Sequence, residues 1–139
     1  MKNTYKTFDH TADLGIEVYG EDQCELFINA GRALFDLITD LDKVEVKTSL
    51  SFTIEAIDRE DLMVSWLREL LYFHQSEGYL LTDFVLHDLG EQSLNATVRG
   101  ETHEAHRHEL TREIKAVTYH QIKVTREKGR WIARIVFDI

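Results

Sequence analysis

The sequence predicts an α+β fold, with mostly antiparallel or mixed sheets packed against two main helices. Two stripes of helical period carry the helices, one through Leu26, Ala30, Leu34 and Ile38 and one through Leu62, Trp66, Leu70 and Phe73. Runs of strict two-residue alternation, clearest at 44–56 and 114–124, supply strands. Helices and strands do not follow one another in a regular repeat, which argues against a parallel βαβ architecture. The 139 residues contain no internal repeat, low-complexity stretch or Gly/Ser linker, so a single domain over 1–139 is expected.

Taken in order, Leu14–Tyr19 is a short strand closed by Gly20. Asp22 then opens the first helix, with Glu25 three residues on in a variant of the capping box. That helix fades around Thr39–Asp42. From Val44 to Ala56 the even positions are Val, Val, Thr, Leu, Phe, Ile and Ala, against polar residues at the odd ones. This is a half-exposed antiparallel strand. At ~3.3 Å per residue it would run ~43 Å, beyond the usual length, so a bend near Thr48–Ser49 is expected. Asp58 caps the second helix and Gly78 stops it. Strands at 79–89 and 93–99 follow, joined at Gly90. After a His-rich polar loop, Ile114, Ala116, Thr118, His120, Ile122 and Val124 alternate again, which predicts a buried, hydrogen-bonded His120. A turn at Lys128–Gly129 leads into a last strand, Arg130–Phe137, whose apolar residues on nearly both faces predict two-sided cover.

Composition excludes several classes. At 43% hydrophobic and 29% charged residues the chain is globular. No apolar run reaches the ~20 residues of a membrane span, and the start lacks the apolar core of a signal peptide. A lone Cys24 rules out an internal disulfide framework and fits a reducing, cytoplasmic setting; packing near a helix start accounts for it. A net charge of −9 argues against tight nucleic-acid binding and suits a metal cation or a basic protein partner. Walker, dinucleotide and G-x-S-x-G motifs are absent, as is a Cys/His nucleophile pair. The chain is therefore expected not to be an enzyme using covalent catalysis.

Four segments hold candidate chemistry. Asp9-His10-Thr11-Ala12-Asp13 packs two carboxylates and an imidazole into a turn before a strand, although an Asx-type turn is the plainer local account. Asp138-Ile139 sets a side-chain carboxylate beside an α-carboxylate at the end of an apolar strand. Like charges so close repel unless a cation or strong donors lie between them. A solvated, frayed end is the alternative, opposed by the apolar strand running through Phe137. If the Asp13 turn lies beside this end, three carboxylates meet, an all-oxygen set suited to Ca²⁺, Mg²⁺ or Mn²⁺. The set His103-x-x-His106-x-His108 competes for a metal, but its spacing matches no zinc module and an exposed polar loop explains it. Lys115 opens an alternating strand, as a solvated strand end or as a donor to a phosphate or a partner carboxylate.

These residues carry a resemblance. FDHTADLGI at 8–16, LRELLY at 67–72, Gly100-Glu101, His108 followed by EIKAVTYH at 113–120, and the final FDI together resemble the archease family over nearly the whole chain. The resemblance implies an accessory protein that promotes guanylylation and multiple turnover of the GTP-dependent RNA-splicing ligase, which joins a 3′-phosphate or cyclic phosphate to a 5′-hydroxyl. It further implies a divalent-metal site, calcium foremost with magnesium or manganese as alternatives, at Asp13, Asp138 and the terminal carboxylate of Ile139. The family's functional lysine matches Lys115. His10 and His108 lie in matching blocks and join Lys115 as candidate partner-binding or functional residues. A small metal-dependent hydrolase using the same carboxylates, and a general chaperone-like modulator, are the competing classes.

Overall fold

Each helix starts where a short carboxylate can take an orphaned backbone donor. Asp22 Oδ1 accepts the Glu25 N–H and Asp58 Oδ1 the Asp61 N–H, both at 2.8 Å. The helices that follow are α1 (Gln23–Ile38) and α2 (Arg59–Glu77). Gly78, at φ +74°, ends α2 in a left-handed cap with its N–H on the His74 carbonyl.

The structure, a computed structural model, describes residues 4–10 and 13–139, and for Asp9 and His10 the backbone only. Its strands are β1 (Tyr5–His10), β2 (Asp13–Gly20), β3 (Thr48–Glu55), β4 (Tyr79–Leu89), β5 (Ser93–Thr102), β6 (Ala116–Val117), β7 (Lys123–Glu127) and β8 (Arg130–Asp138). They form two antiparallel sheets. One has the order β1-β2-β8-β6, with β7 continuing along β8 from β6; the other has the order β3-β5-β4.

The helices join the sheets. α1 packs on β2 and β4, and α2 on β3, β4, β6 and β7. Trp66 of α2 lies fully buried, stacked on Phe52 at 5.8 Å and edge-on to Phe84 at 6.2 Å. Its indole N–H donates to the Phe27 carbonyl of α1 at 2.8 Å. Burying so large a side chain is favourable here because its polar atom keeps a partner.

Three expectations need correcting. The alternation at 44–56 is not one strand: Leu41–Lys43 is a 3₁₀ turn and pairing begins at Thr48. Val44 is buried while Val46 is exposed, so residues of equal parity do not share a face there. The alternation at 114–124 breaks after β6, where Gln121 adopts φ +54° and the Thr118 hydroxyl accepts the His120 N–H. His120 is therefore exposed instead of buried. A left-handed glutamine made this turn, so no glycine or asparagine marked it. Finally, β8 is covered fully only on the face of Ala133, Ile135 and Phe137; opposite, Val136 is buried but Ile132 and Arg134 are half-exposed. The Lys128–Gly129 turn is as expected, with φ of +53° and +81° giving the primed geometry that suits strand twist.

Candidate functional site

Strand parity decides what each face of the larger sheet can do. Leu14, Ile16 and Val18 of β2 turn into the core, so Asp13, Gly15 and Glu17 point to the other face. On β8 the same rule sends Phe137 inward and Asp138 outward. Antiparallel register then places His10, Asp13, Asp138 and Ala116 in one row across β1, β2, β8 and β6. Directly opposite residues on such strands have Cβ atoms roughly 4.5–5.5 Å apart, so the Asp13 and Asp138 carboxylates share one patch of surface. Asp13 is half-buried, whereas Asp138 and Ile139 are exposed.

Lys115 is tied to the same end of the sheet. Its N–H donates to the Asp138 carbonyl at 2.8 Å while its side chain is exposed. The fold thus brings Asp13, Asp138 and the backbone of Lys115 to one end of the sheet, where Ile139 follows Asp138. His10 shares the row by backbone register, and its side chain, like Thr11 and Ala12, lies outside the described residues.

The next row braces this one. A Cβ on Gly15 would lie 2.1 Å from the Phe8 ring, so only glycine lets that ring lie flat across β2. Arg134 stacks its guanidinium 3.9 Å from the Phe8 ring centre and sits 3.5 Å from Glu17. Sequence alone assigns Phe8, Gly15 and Arg134 no role of their own, because it predicts no strand before Leu14.

His108 belongs to a different cluster. Buried Glu101 accepts from the Glu45 N–H at 2.6 Å, from His108 Nε2 at 3.1 Å and from Arg107, with Lys47 Nζ 3.4 Å away. Burial alone would raise its pKa. The bonds from Arg107, the Glu45 N–H, His108 and Lys47 outweigh that and hold it at about 2. His108 Nδ1 accepts the Glu104 N–H at 2.9 Å, which assigns the ring proton to Nε2. Both nitrogens are thus used within the protein. His103 turns Nε2 to the His108 carbonyl at 3.2 Å, and His106 is exposed. The three histidines serve loop structure, and among the described residues no cluster of three or more His, Cys, Asp or Glu side chains could hold a metal ion. A cleft of about 760 Å³ opens between the end of α2 and residues 110–114, beside Lys115.

Comparison with known proteins agrees with the fold and with the motif blocks. The model of the Archease protein family (MTH1598/TM1083) matches residues 5–139. The chain is 38% identical to protein archease of Methanopyrus kandleri over 138 residues, covering 97% of this chain and 99% of the relative. It is 39% identical to protein archease of Pyrococcus furiosus over 139 residues, covering 97% and 98%. Its fold superimposes on the solution structure of Methanobacterium thermoautotrophicum protein 1598 with a TM-score of 0.83 at 34% identity, covering 98% and 99%. An archease from Thermotoga maritima shares the fold, with a TM-score of 0.64 at 24% identity over 96% of each chain. The chain belongs to the class of two-helix, two-sheet proteins that these matches share: it is a member of the archease family. Among the described residues no helix is long and apolar enough to cross a membrane.

Proposed function

We propose that this protein activates a GTP-dependent RNA-splicing ligase, promoting guanylylation and turnover of that enzyme without being a catalyst itself. The observation that carries this reading is the direct pairing of Asp13 with Asp138. Like charges placed opposite one another on a sheet destabilise it, so the arrangement makes sense as a ligand set. The donors are all carboxylate oxygens, which suits calcium first and magnesium or manganese next. Asp13 and Asp138 would hold the ion, with the α-carboxylate of Ile139 as the third protein ligand. A bound divalent ion supplies charge neutralisation and a Lewis-acidic centre for phosphate oxygens.

The chain's own groups do the rest. Lys115, anchored at Asp138, presents an ammonium to a phosphate or to an acidic residue of the ligase. The net charge of −9 draws the protein toward a basic RNA-binding partner. The same charge opposes tight binding of RNA by this protein alone.

The test is guanylylation of the ligase with and without this protein, titrated with Ca²⁺, Mg²⁺ and Mn²⁺. Asp13→Ala, Asp138→Ala and Lys115→Ala should lose stimulation while remaining folded. Full stimulation by either aspartate variant overturns the reading. Release of phosphate from nucleotide by this protein alone would favour a hydrolase instead. Stimulation of unrelated enzymes, insensitive to the aspartates, would favour a chaperone-like role.

A further inference from the structure

One stripe of α2 grips the segment that carries Lys115. Asp61 accepts the Tyr119 hydroxyl at 2.5 Å. Arg68 Nε donates to the Val117 carbonyl at 3.0 Å, with its guanidinium 4.6 Å from the Tyr119 ring centre. Gln75 Nε2 donates to the Lys115 carbonyl at 2.9 Å and to the Ile114 carbonyl at 3.3 Å. Positions 61, 68 and 75 are two helical turns apart each time, so they share one face of α2.

This grip matters because β6 is too short to fix its own geometry. It spans Ala116–Val117 and meets β8 through two residue pairs. Lys115 stands just outside it, held at both ends of its own backbone: N–H on the Asp138 carbonyl, C=O under Gln75. Fixing both groups fixes the direction of its Cα–Cβ bond, and therefore where the amine is rooted.

We infer that Gln75 is a positioning residue for Lys115, fixing the backbone from which its side chain leaves at the Asp138 end of β8. The inference rests on the activator reading above. Gln75 is exposed, so its removal leaves the core intact and hands the Lys115 carbonyl to water. Lys115 would then be held by one anchor instead of two.

The experiment compares wild type, Gln75→Leu, Gln75→Arg and Lys115→Ala in full-length protein. Gln75→Leu keeps the bulk and removes the donor; Gln75→Arg supplies a donor again. In saturating calcium or manganese, Gln75→Leu should lower maximal ligase guanylylation about tenfold, as a misplaced group does. Half-maximal concentration, metal affinity and Tm should stay as in wild type. The Lys115 amide should exchange its hydrogen faster in Gln75→Leu, and Gln75→Arg should restore both rate and protection. Unchanged exchange at Lys115 overturns the inference, as does a wild-type rate in Gln75→Leu when Lys115→Ala has lost stimulation. If Lys115→Ala stimulates fully, the activator role of that lysine fails instead, and the exchange measurement still decides whether Gln75 positions it.

Discussion

Asp13 and Asp138 are direct register partners on adjacent antiparallel strands, and both carboxylates leave the face of the sheet turned away from the helices. Two effects of opposite sign follow. In chelator, Asp138→Asn should stabilise the fold by ~0.2–1 kcal/mol through relief of like-charge repulsion. In calcium at a hundred times its Kd, wild type should gain ~2.7 kcal/mol by mass action, and the variant much less. Urea unfolding in the two buffers measures both. A wild-type protein indifferent to Ca²⁺, Mg²⁺ and Mn²⁺ would sink the cation proposal.

Ile139 offers a test that changes no side chain. Appending two glycines after it converts the proposed α-carboxylate ligand into an amide. The divalent affinity should fall at least tenfold, about 1.4 kcal/mol, with the apo stability unaltered. Calorimetric titration reads this directly, and equal affinity in both forms would remove Ile139 from the ligand set.

Glu101 makes the fold sensitive to acid. Its carboxyl, ordinarily near 4.5, is held at about 2 by Arg107, the Glu45 N–H, His108 and Lys47 acting against burial. A depressed carboxylate contributes stability that is complete above the unfolded value and lost as pH falls through the folded one. Wild type should therefore weaken from about pH 4.5 toward 2. Glu101→Gln should cost about 2 kcal/mol or more at pH 7, since a neutral amide cannot satisfy Arg107 and Lys47. It should also depend less on pH across that window. Parallel stability curves for the two proteins would refute this account.

Gly100 and Gly15 should respond differently to alanine. A Cβ at Gly100 meets the Leu80 carbonyl oxygen at 1.9 Å, and that backbone is held in the β4–β5 ladder. Gly100→Ala should cost about 3 kcal/mol. At Gly15 the obstacle is the Phe8 ring, which can swing aside at the cost of its contact with Arg134. Denaturant midpoints should rank wild type above Gly15→Ala and Gly15→Ala above Gly100→Ala.

What could be read from the sequence was what is encoded locally. Asp22, Asp58 and Gly78 mark the helices because capping involves residues a few positions apart. The hairpin turn at Lys128–Gly129 was legible for the same reason. The pairing of Asp13 with Asp138 was not, since register between strands so distant in sequence is set by the whole sheet; the family resemblance supplied it. Alternation misled at Val46, where the chain leaves the sheet, and at His120, where Gln121 turns it. Glu101 stands near the histidine set and in a matching motif block, and neither position marks it as a hub. Its place at the centre of a cluster depends on Lys47 arriving from far earlier in the chain.

The larger sheet has one more consequence. β8 lies between β2 on one side and β6 and β7 on the other, so the most distant parts of the sequence meet at its centre. Contacts of such long range form late and slowly in folding. An ion shared by Asp13 and Asp138 would then act as a removable cross-link between the opening hairpin and the final strand. Taking up or releasing it would tighten or loosen the joint on which closure of that sheet depends.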